Sequence, residues 1–445
     1  MNQSSRTMLW TIVHVLGILI LLFFANIDQF PIIITGYSIS FIAFFFLLRT
    51  IDSVKAGLHI GWGIRIAAIF AFPLLSDDIY RFIWDGWLIN EFVNPFAYLP
   101  IDVPLNFATF QNYLLESMNS PEYYSVYPTI LQLMFAITVL IIPTSIIGQS
   151  VVLKLMLLGF EIITVRYALK ILRHFNKDPR LILLYFLNPL VIVELMGNLH
   201  MELVMISGFS VLLYYFFCGA RGPKKAIISA FALSFSVAAK LITLIAVPFL
   251  IKRLIQNRQI SKLVQFFGWF ALFFALFFIP MFLLNYENFG KGLDLYFQKF
   301  EFNSSIYYLI RLVGFWIKGY NIIGSLGPSL AILAAITILS IAFFEKKTSL
   351  ESLSTSMLFG LSAYYFLSTT VHPWYTALLV FLSVFSGYRF AIFWSFLAVL
   401  SYAKYYQGGV YYFPAITVEY VLLFGAIAHE LYIRQLDPRR SLLKI

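Results

Sequence analysis

The chain has 445 residues with a net charge of +10; 61% are hydrophobic and only 12% are charged. A soluble fold of that composition would leave too much apolar surface in water, so two or three soluble domains are excluded and one lipid-solvated bundle is left. The positive charge sits in short loops between apolar runs, where it encodes orientation in a bilayer, which excludes nucleic acid as a partner, and the single cysteine, Cys218, excludes an internal disulfide and a cysteine metal site.

Apolar runs long enough to cross a bilayer lie at about 8–25, 31–48, 57–75, 127–147, 151–172, 181–196, 200–218, 226–250, 263–284, 325–344, 353–371, 374–387, 389–404 and 411–433. They predict an all-α fold, a polytopic transmembrane bundle of about 12–14 spans forming a single membrane domain over 1–445. The first run lacks a small-x-small cleavage site after it and reads as a retained helix. The run 226–250 contains Lys240, and is either one helix or two half-helices meeting at the lysine.

Two segments, 76–126 and 285–324, are longer than connectors. The first holds Asp77, Asp78, Asp85, Glu91, Asp102, Glu116 and Glu122 against one basic residue, Arg81. Basic residues gather instead at Arg173/Lys177/Arg180, Arg221/Lys224/Lys225, Lys252/Arg253/Arg258/Lys262, Lys346/Lys347 and Arg434/Arg439/Arg440/Lys444. The positive-inside rule makes these clusters cytoplasmic and the acidic segment external. The segment 127–172 must then cross an odd number of times although it contains two runs; the run ending at Pro143 is a candidate for a re-entrant or interfacial helix. The second long segment carries Tyr296, Phe297, Phe300, Phe302, Tyr307, Tyr308 and Trp316, a pattern that suits an interfacial helix, either shielding the rim or lining a groove for an isoprenoid chain.

The stretch Ser-Asp-Asp-Ile-Tyr-Arg-Phe-Ile-Trp-Asp-Gly at 76–86 begins where an apolar run reaches the outer surface. Adjacent carboxylates at Asp77 and Asp78 raise the pKa of one of the pair. On a helix, Asp77, Arg81 and Asp85 share a face at i, i+4 and i+8. That face is either a surface ion-pair ladder or a carboxylate base beside a phosphate-holding cation. Lys240, mid-run, is either a phosphate-facing cation or the partner of Glu202 or Glu194. Asn198, His200 and Glu202 lack metal-ligand spacing and read as donor or acceptor contacts or as packing groups. His372 and Trp374 lie in a Pro-Trp-Tyr turn that is either an interfacial anchor or a sugar contact. Glu161, Arg166, Lys404, Glu419 and His429-Glu430 pair across helices without an assigned role. No Walker or Rossmann glycine loop is present, which argues against a nucleotide-sugar donor, an ATP-driven pump and any nucleotide cofactor.

The 76–86 stretch with Asn94-Pro95-Phe96 and Tyr98-Leu99-Pro100 resembles the first external loop of bacterial GT-C membrane glycosyltransferases, the polyprenyl-phosphate-mannose-dependent mannosyltransferases. Further pieces are similar in order: Tyr127-Pro128 with Gln132 (Thr129 replaces the family's second proline), Asn188-Pro189 with Gly197-Asn-Leu-His-Met-Glu202, Ala239-Lys240 with Pro248, Phe302-Asn-Ser-Ser-Ile-Tyr307, and Val371-His-Pro-Trp-Tyr375. The resembling region spans about 57–390, its motifs 76–375. The resemblance implies a GT-C-like fold in the bacterial cytoplasmic membrane with an external active site. It implies an inverting transfer of a sugar, mannose in the family, from a polyprenyl-phosphate donor to a glycan, glycolipid or protein acceptor. Asp77, then Asp78, would be the general base; Arg81 and Lys240 would hold the donor phosphate; Asp85, Asn198, His200, Glu202, His372 and Trp374 would contact substrate; no cofactor or metal is implied. The alternatives are a transporter or flippase of a lipid-linked sugar and an O-antigen-type polymerase.

Overall fold

The computed structural model describes residues 2–219, 222–437 and 442–443, without the side chains of 223, 280–286, 289 and 293–298. Arg221, Arg439, Arg440, Lys444 and the side chains of Tyr296 and Phe297 therefore lie outside the described residues. The helices are α1 (Gln3–Phe23), α2 (Phe30–Thr50), α3 (Val54–Ile69), α4 (Asp78–Asn90), α5 (Thr109–Ser117), α6 (Thr129–Ile141), α7 (Ile146–His174), α8 (Leu183–Phe186), α9 (Glu202–Phe217), α10 (Pro223–Ala239), α11 (Ala246–Gln256), α12 (Ile260–Gln298), α13 (Ile306–Lys318), α14 (Ile323–Phe344), α15 (Leu350–Leu367), α16 (Thr376–Ser386), α17 (Phe390–Leu397) and α18 (Tyr412–Leu436). A π-helical turn, Val191–Gly197, and short 3-10 segments join them.

This is the all-α polytopic bundle expected, but its spans are less regular than the hydropathy runs. Among the described residues six helices are long and apolar enough to cross a membrane: α1, α2, α7, the Ile260–Ile279 part of α12, α14 and α18. Pro179–Phe186 and Val191–Gly197, bent by 62°, make a seventh if counted as one broken span. The remaining runs became shorter apolar helices, among them α6, α9, Pro373–Ser386 and Phe390–Tyr405. The count falls below 12–14 because an unbroken run of apolar residues does not reveal where the backbone stops being helical. Asn188-Pro189 breaks one run, and the extended backbone of Lys240 (φ −157°, ψ 126°) breaks another. The run 226–250 is thus two pieces meeting at the lysine, the second of the two readings.

The odd crossing of 127–172 has a simple geometry. At 1.5 Å per residue the thirteen residues of α6 reach about 20 Å, short of a hydrocarbon core of about 30 Å, whereas the twenty-nine of α7 reach about 44 Å. Only α7 has the length of a crossing. The segment from 285 opens as helix, because α12 continues to Gln298.

The core centres on 182–210, where every side chain is buried, and on α16. Buried charges are held by ion pairs or by hydrogen bonds. Arg65 and Glu161, both fully buried, meet at 2.6 Å, and the guanidinium lies 3.9 Å from the centroid of the Phe186 ring. Lys154 donates to the carbonyls of Ala68 (3.0 Å) and Ala71 (2.5 Å), at the end of α3 and in the turn that follows it. Gly86 is required where α4 crosses α6: a Cβ there would overlap the carbonyl carbon and oxygen of Phe135. Gly86→Ala is expected to destabilise the protein by about 1–3 kcal/mol through forced separation of the two helices, read as a lower thermal midpoint in detergent.

Candidate functional site

The site is built where helices break. The turn after α3 is held by Lys154 below and by Asn198, whose Oδ1 accepts from the Leu75 backbone N–H at 3.2 Å. The chain then enters α4 with Asp77 as the residue before its first turn, and the Asp77 carboxylate does not cap the helix. It stands exposed at the edge of the cleft. The protein crowded around it, and next the charge of Asp78, raise its pKa above the ordinary carboxylate value. Asp78 is more tightly placed: Asn119 Nδ2 donates to Oδ1 at 3.4 Å, and His200 Nδ1 lies 4.0 Å from Oδ2.

Arg81 and Asp85, expected at the donor phosphate and at substrate, are placed together in the interior. Arg81 is buried. Its Nε donates to Asp85 Oδ1 at 2.8 Å, and one terminal nitrogen donates to the carbonyls of Ser120 (3.1 Å) and Tyr123 (2.7 Å). Asp85, with no exposed surface, also accepts from Ser125 Oγ (2.5 Å) and Gln132 Nε2 (2.8 Å). The i, i+4 pairing was legible. Its burial was not, because the 118–125 segment that folds over it has no apolar signature. The pair pins that segment to α4 and α6, and Gln132 of the Tyr-Pro…Gln piece serves the same lock.

The Gly197–Glu202 stretch sends its three polar residues in three directions. Asn198 supports the turn before Asp77, His200 faces Asp78, and Glu202 reaches Lys240. The backbone that does this is irregular: a π turn, then Leu199 with φ +62°, a left-handed conformation disfavoured for leucine. Such strain is stored where a function needs it.

Lys240 is ion-paired with Glu202, and its ammonium lies 4.2 Å from the centroid of the Tyr375 ring. The lysine side chain keeps 35% of its surface exposed, so it borders the cleft although paired. Trp374 sits in a column of rings: Phe302 to His372 at 4.8 Å, His372 to Trp374 at 4.4 Å, and Trp374 to His200 at 3.6 Å, each pair within 22° of parallel. Trp374, expected as a sugar contact, thus stacks with both His372 and His200 and stays partly exposed. Burial, with the nearby Lys240 and His200 charges adding to it, pushes the His372 pKa down to about 3, and its Nδ1 has no protein partner among the described residues.

The column's far end is fixed by the Phe302–Ser305 link. Phe302 N–H donates to the Thr369 carbonyl (3.1 Å), and Val371 N–H donates to the Phe302 carbonyl (2.8 Å). Ser304 and Ser305 hydroxyls donate to the carbonyls of Ser368 and Phe366. Asn303, with φ +48°, is held by Tyr412, Tyr420 and Glu419. Residues distant in sequence are therefore joined by contact: Asp78 faces His200, His200 stacks on Trp374 and Trp374 on His372, Tyr375 links His372 to Lys240 and its partner Glu202, and Asp77 stands beside Asp78. Sequence reasoning missed its second layer. Glu194, named only as a possible partner of Lys240, instead accepts from Tyr37 of α2 and from Tyr402.

Fold and cleft together define an integral membrane protein whose polar site is assembled from broken helices. The chain belongs to the alpha-(1->6)-mannopyranosyltransferase family, whose N-terminal domain matches residues 7–256. It is 24% identical over 232 residues to alpha-(1->6)-mannopyranosyltransferase A of Mycobacterium tuberculosis, a match covering 51% of this chain and 42% of that protein. The chain thus spans less than half the length of the curated relative it matches. No solved structure matches. Asp77, Asp78, His200, Glu202 and Lys240 lie inside the matched residues, and His372 and Trp374 lie beyond them.

Proposed function

We propose that the protein is a GT-C-type mannosyltransferase that moves mannose from a polyprenyl-phosphate carrier to a hydroxyl of a glycan, glycolipid or protein acceptor. It acts on the external face of the bacterial cytoplasmic membrane by inverting single displacement. The observation that carries this reading is the run of contacts from the acidic pair to Lys240: Asp77, of raised pKa, stands exposed beside Asp78, His200 lies 4.0 Å from Asp78 and stacks on Trp374, and the Lys240 ammonium lies over the ring of Tyr375 in the same turn. The raised pKa suits a general base, whose efficiency grows as its pKa nears the working pH. Asp77 takes the acceptor's hydroxyl proton as that oxygen attacks the anomeric carbon. The bond to the carrier phosphate breaks, and the phosphate leaves with its added negative charge. Lys240 meets that charge by exchanging Glu202 for phosphate oxygen, an electrostatic stabilisation greatest as the bond breaks.

Asp77 must be ionised to act, so activity is expected to fall as pH drops through its pKa. Because that pKa is raised, the acid limb of a pH–rate profile for sugar release lies above the ordinary aspartate value of 3.8, and Asp78→Asn moves it back toward that value. The reading is tested by incubating the purified protein in nanodiscs with mannose-labelled polyprenyl phosphate or with a labelled nucleotide mannose, and an acceptor extract. Transfer from the lipid donor alone, with inversion at the anomeric carbon, is expected. Transfer from the nucleotide sugar, or retention, would overturn it.

A further inference from the structure

Glu194 has no part in the chemistry just described, yet it is the best-held carboxylate near the cleft. It is fully buried in the π turn and accepts from Tyr37 Oη (2.6 Å), Tyr402 Oη (2.9 Å) and Asn198 Nδ2 (3.2 Å). A buried carboxylate with donors from three elements is rigid. The His200 backbone N–H donates to the Glu194 carbonyl at 3.2 Å, and ring Nε2, which makes no hydrogen bond among the described residues, stands 3.3 Å from Glu194 Oε2. The other ring nitrogen, Nδ1, points at Asp78, 4.0 Å from Oδ2. Trp374 covers one face of the imidazole at 3.6 Å and blocks its rotation. The left-handed Leu199 between Asn198 and His200 is the backbone cost of this aim.

We propose that Glu194 is a positioning residue that acts through His200 on the acidic pair. The buried Glu194 charge beside Nε2 favours the proton on that nitrogen, which leaves the Nδ1 lone pair facing Asp78. The inference rests on the mannosyl-transfer reading. The proton that Asp77 takes passes by way of Asp78 and a bridging water to Nδ1 of His200, which stands 4.0 Å from Asp78 Oδ2. The carboxylates return to their ionised form, and the imidazolium is stabilised by Glu194 and by the indole face until it loses the proton to water. No further reactant is needed.

The test compares wild type, Glu194→Gln, His200→Asn and the double variant. Glu194→Gln and His200→Asn are each expected to lower kcat for mannose release by about tenfold or more, with KM for the donor nearly unchanged, and the double variant to lose no more than His200→Asn alone. Additive losses, or a loss confined to KM, would show Glu194 to be structural and overturn the proposal. A second measurement does not depend on turnover: nitrogen chemical shifts of ring-labelled histidine, with the His200 signals assigned by their loss in His200→Asn. Protonation at Nε2 in the wild type and a changed tautomer balance in Glu194→Gln are expected; identical His200 signals in both contradict it. Should wild type leave all label on the lipid, the transfer reading fails by itself while the nitrogen shifts still decide the role of Glu194.

Discussion

Asp77→Asn is expected to lower the turnover of mannose release by about 10²–10⁴-fold, the contribution of a positioned general base, while leaving thermal stability and donor affinity close to wild type. The exposed carboxylate makes no cap to α4, so the isosteric amide removes only the proton acceptor. Asp78→Asn is expected to cost less, because Asp78 stands behind its neighbour against Asn119 and His200. The two variants thus separate residues that adjacent numbering cannot. The check is single-turnover label release with donor binding measured in parallel. Equal activity of Asp77→Asn and wild type would remove Asp77 from the base role.

Asp85→Ala is expected to produce the opposite pattern, a loss of about 3–5 kcal/mol of stability, because it leaves the Arg81 charge buried without its counter-ion. Ser125 and Gln132 lose their shared acceptor in the same change, so the 118–125 segment is released from α4 and α6. Replacing both partners, as Arg81→Met with Asp85→Leu, is expected to recover much of the stability, since an apolar pair of similar volume no longer buries charge. Activity should return with it, because neither residue faces the cleft. Thermal unfolding in detergent and mannose release measured on the same samples decide the matter. A double variant that is stable but inactive would restore Arg81 to the phosphate-binding role.

Legibility in the sequence followed the physics of each signal. Composition and hydropathy made the all-α membrane bundle plain, because burying 61% hydrophobic residues in lipid leaves few alternatives. The places where helices break were less plain: Lys240 drew notice as a charge in an apolar run, whereas the π turn at Val191–Gly197 is apolar throughout except for Glu194. Asp77, Asp78, His200, Lys240 and His372 were singled out because polar groups in an apolar chain stand out, and their motifs fall in a recognisable order. Their mutual geometry was not. Nothing in Trp374 itself says that two imidazoles will stack with it, and nothing in Arg81 says that a loop of ordinary polarity will bury it. Tyr37 and Tyr402, in helices that carry no motif, were invisible as partners of Glu194, since a tyrosine in an apolar run looks like any aromatic packing group.

The central claim is that this cleft breaks the bond between mannose and its carrier phosphate. It is tested most directly in proteoliposomes containing polyprenyl-phosphate-mannose labelled in the sugar, by following label on the lipid and label released from it as separate quantities. The account predicts that wild-type protein frees label from the lipid in the presence of acceptor and that Asp77→Asn does not. Label that stays on the lipid but moves from one leaflet to the other would contradict it, and would make the protein a carrier of lipid-linked sugar instead of an enzyme that cleaves it.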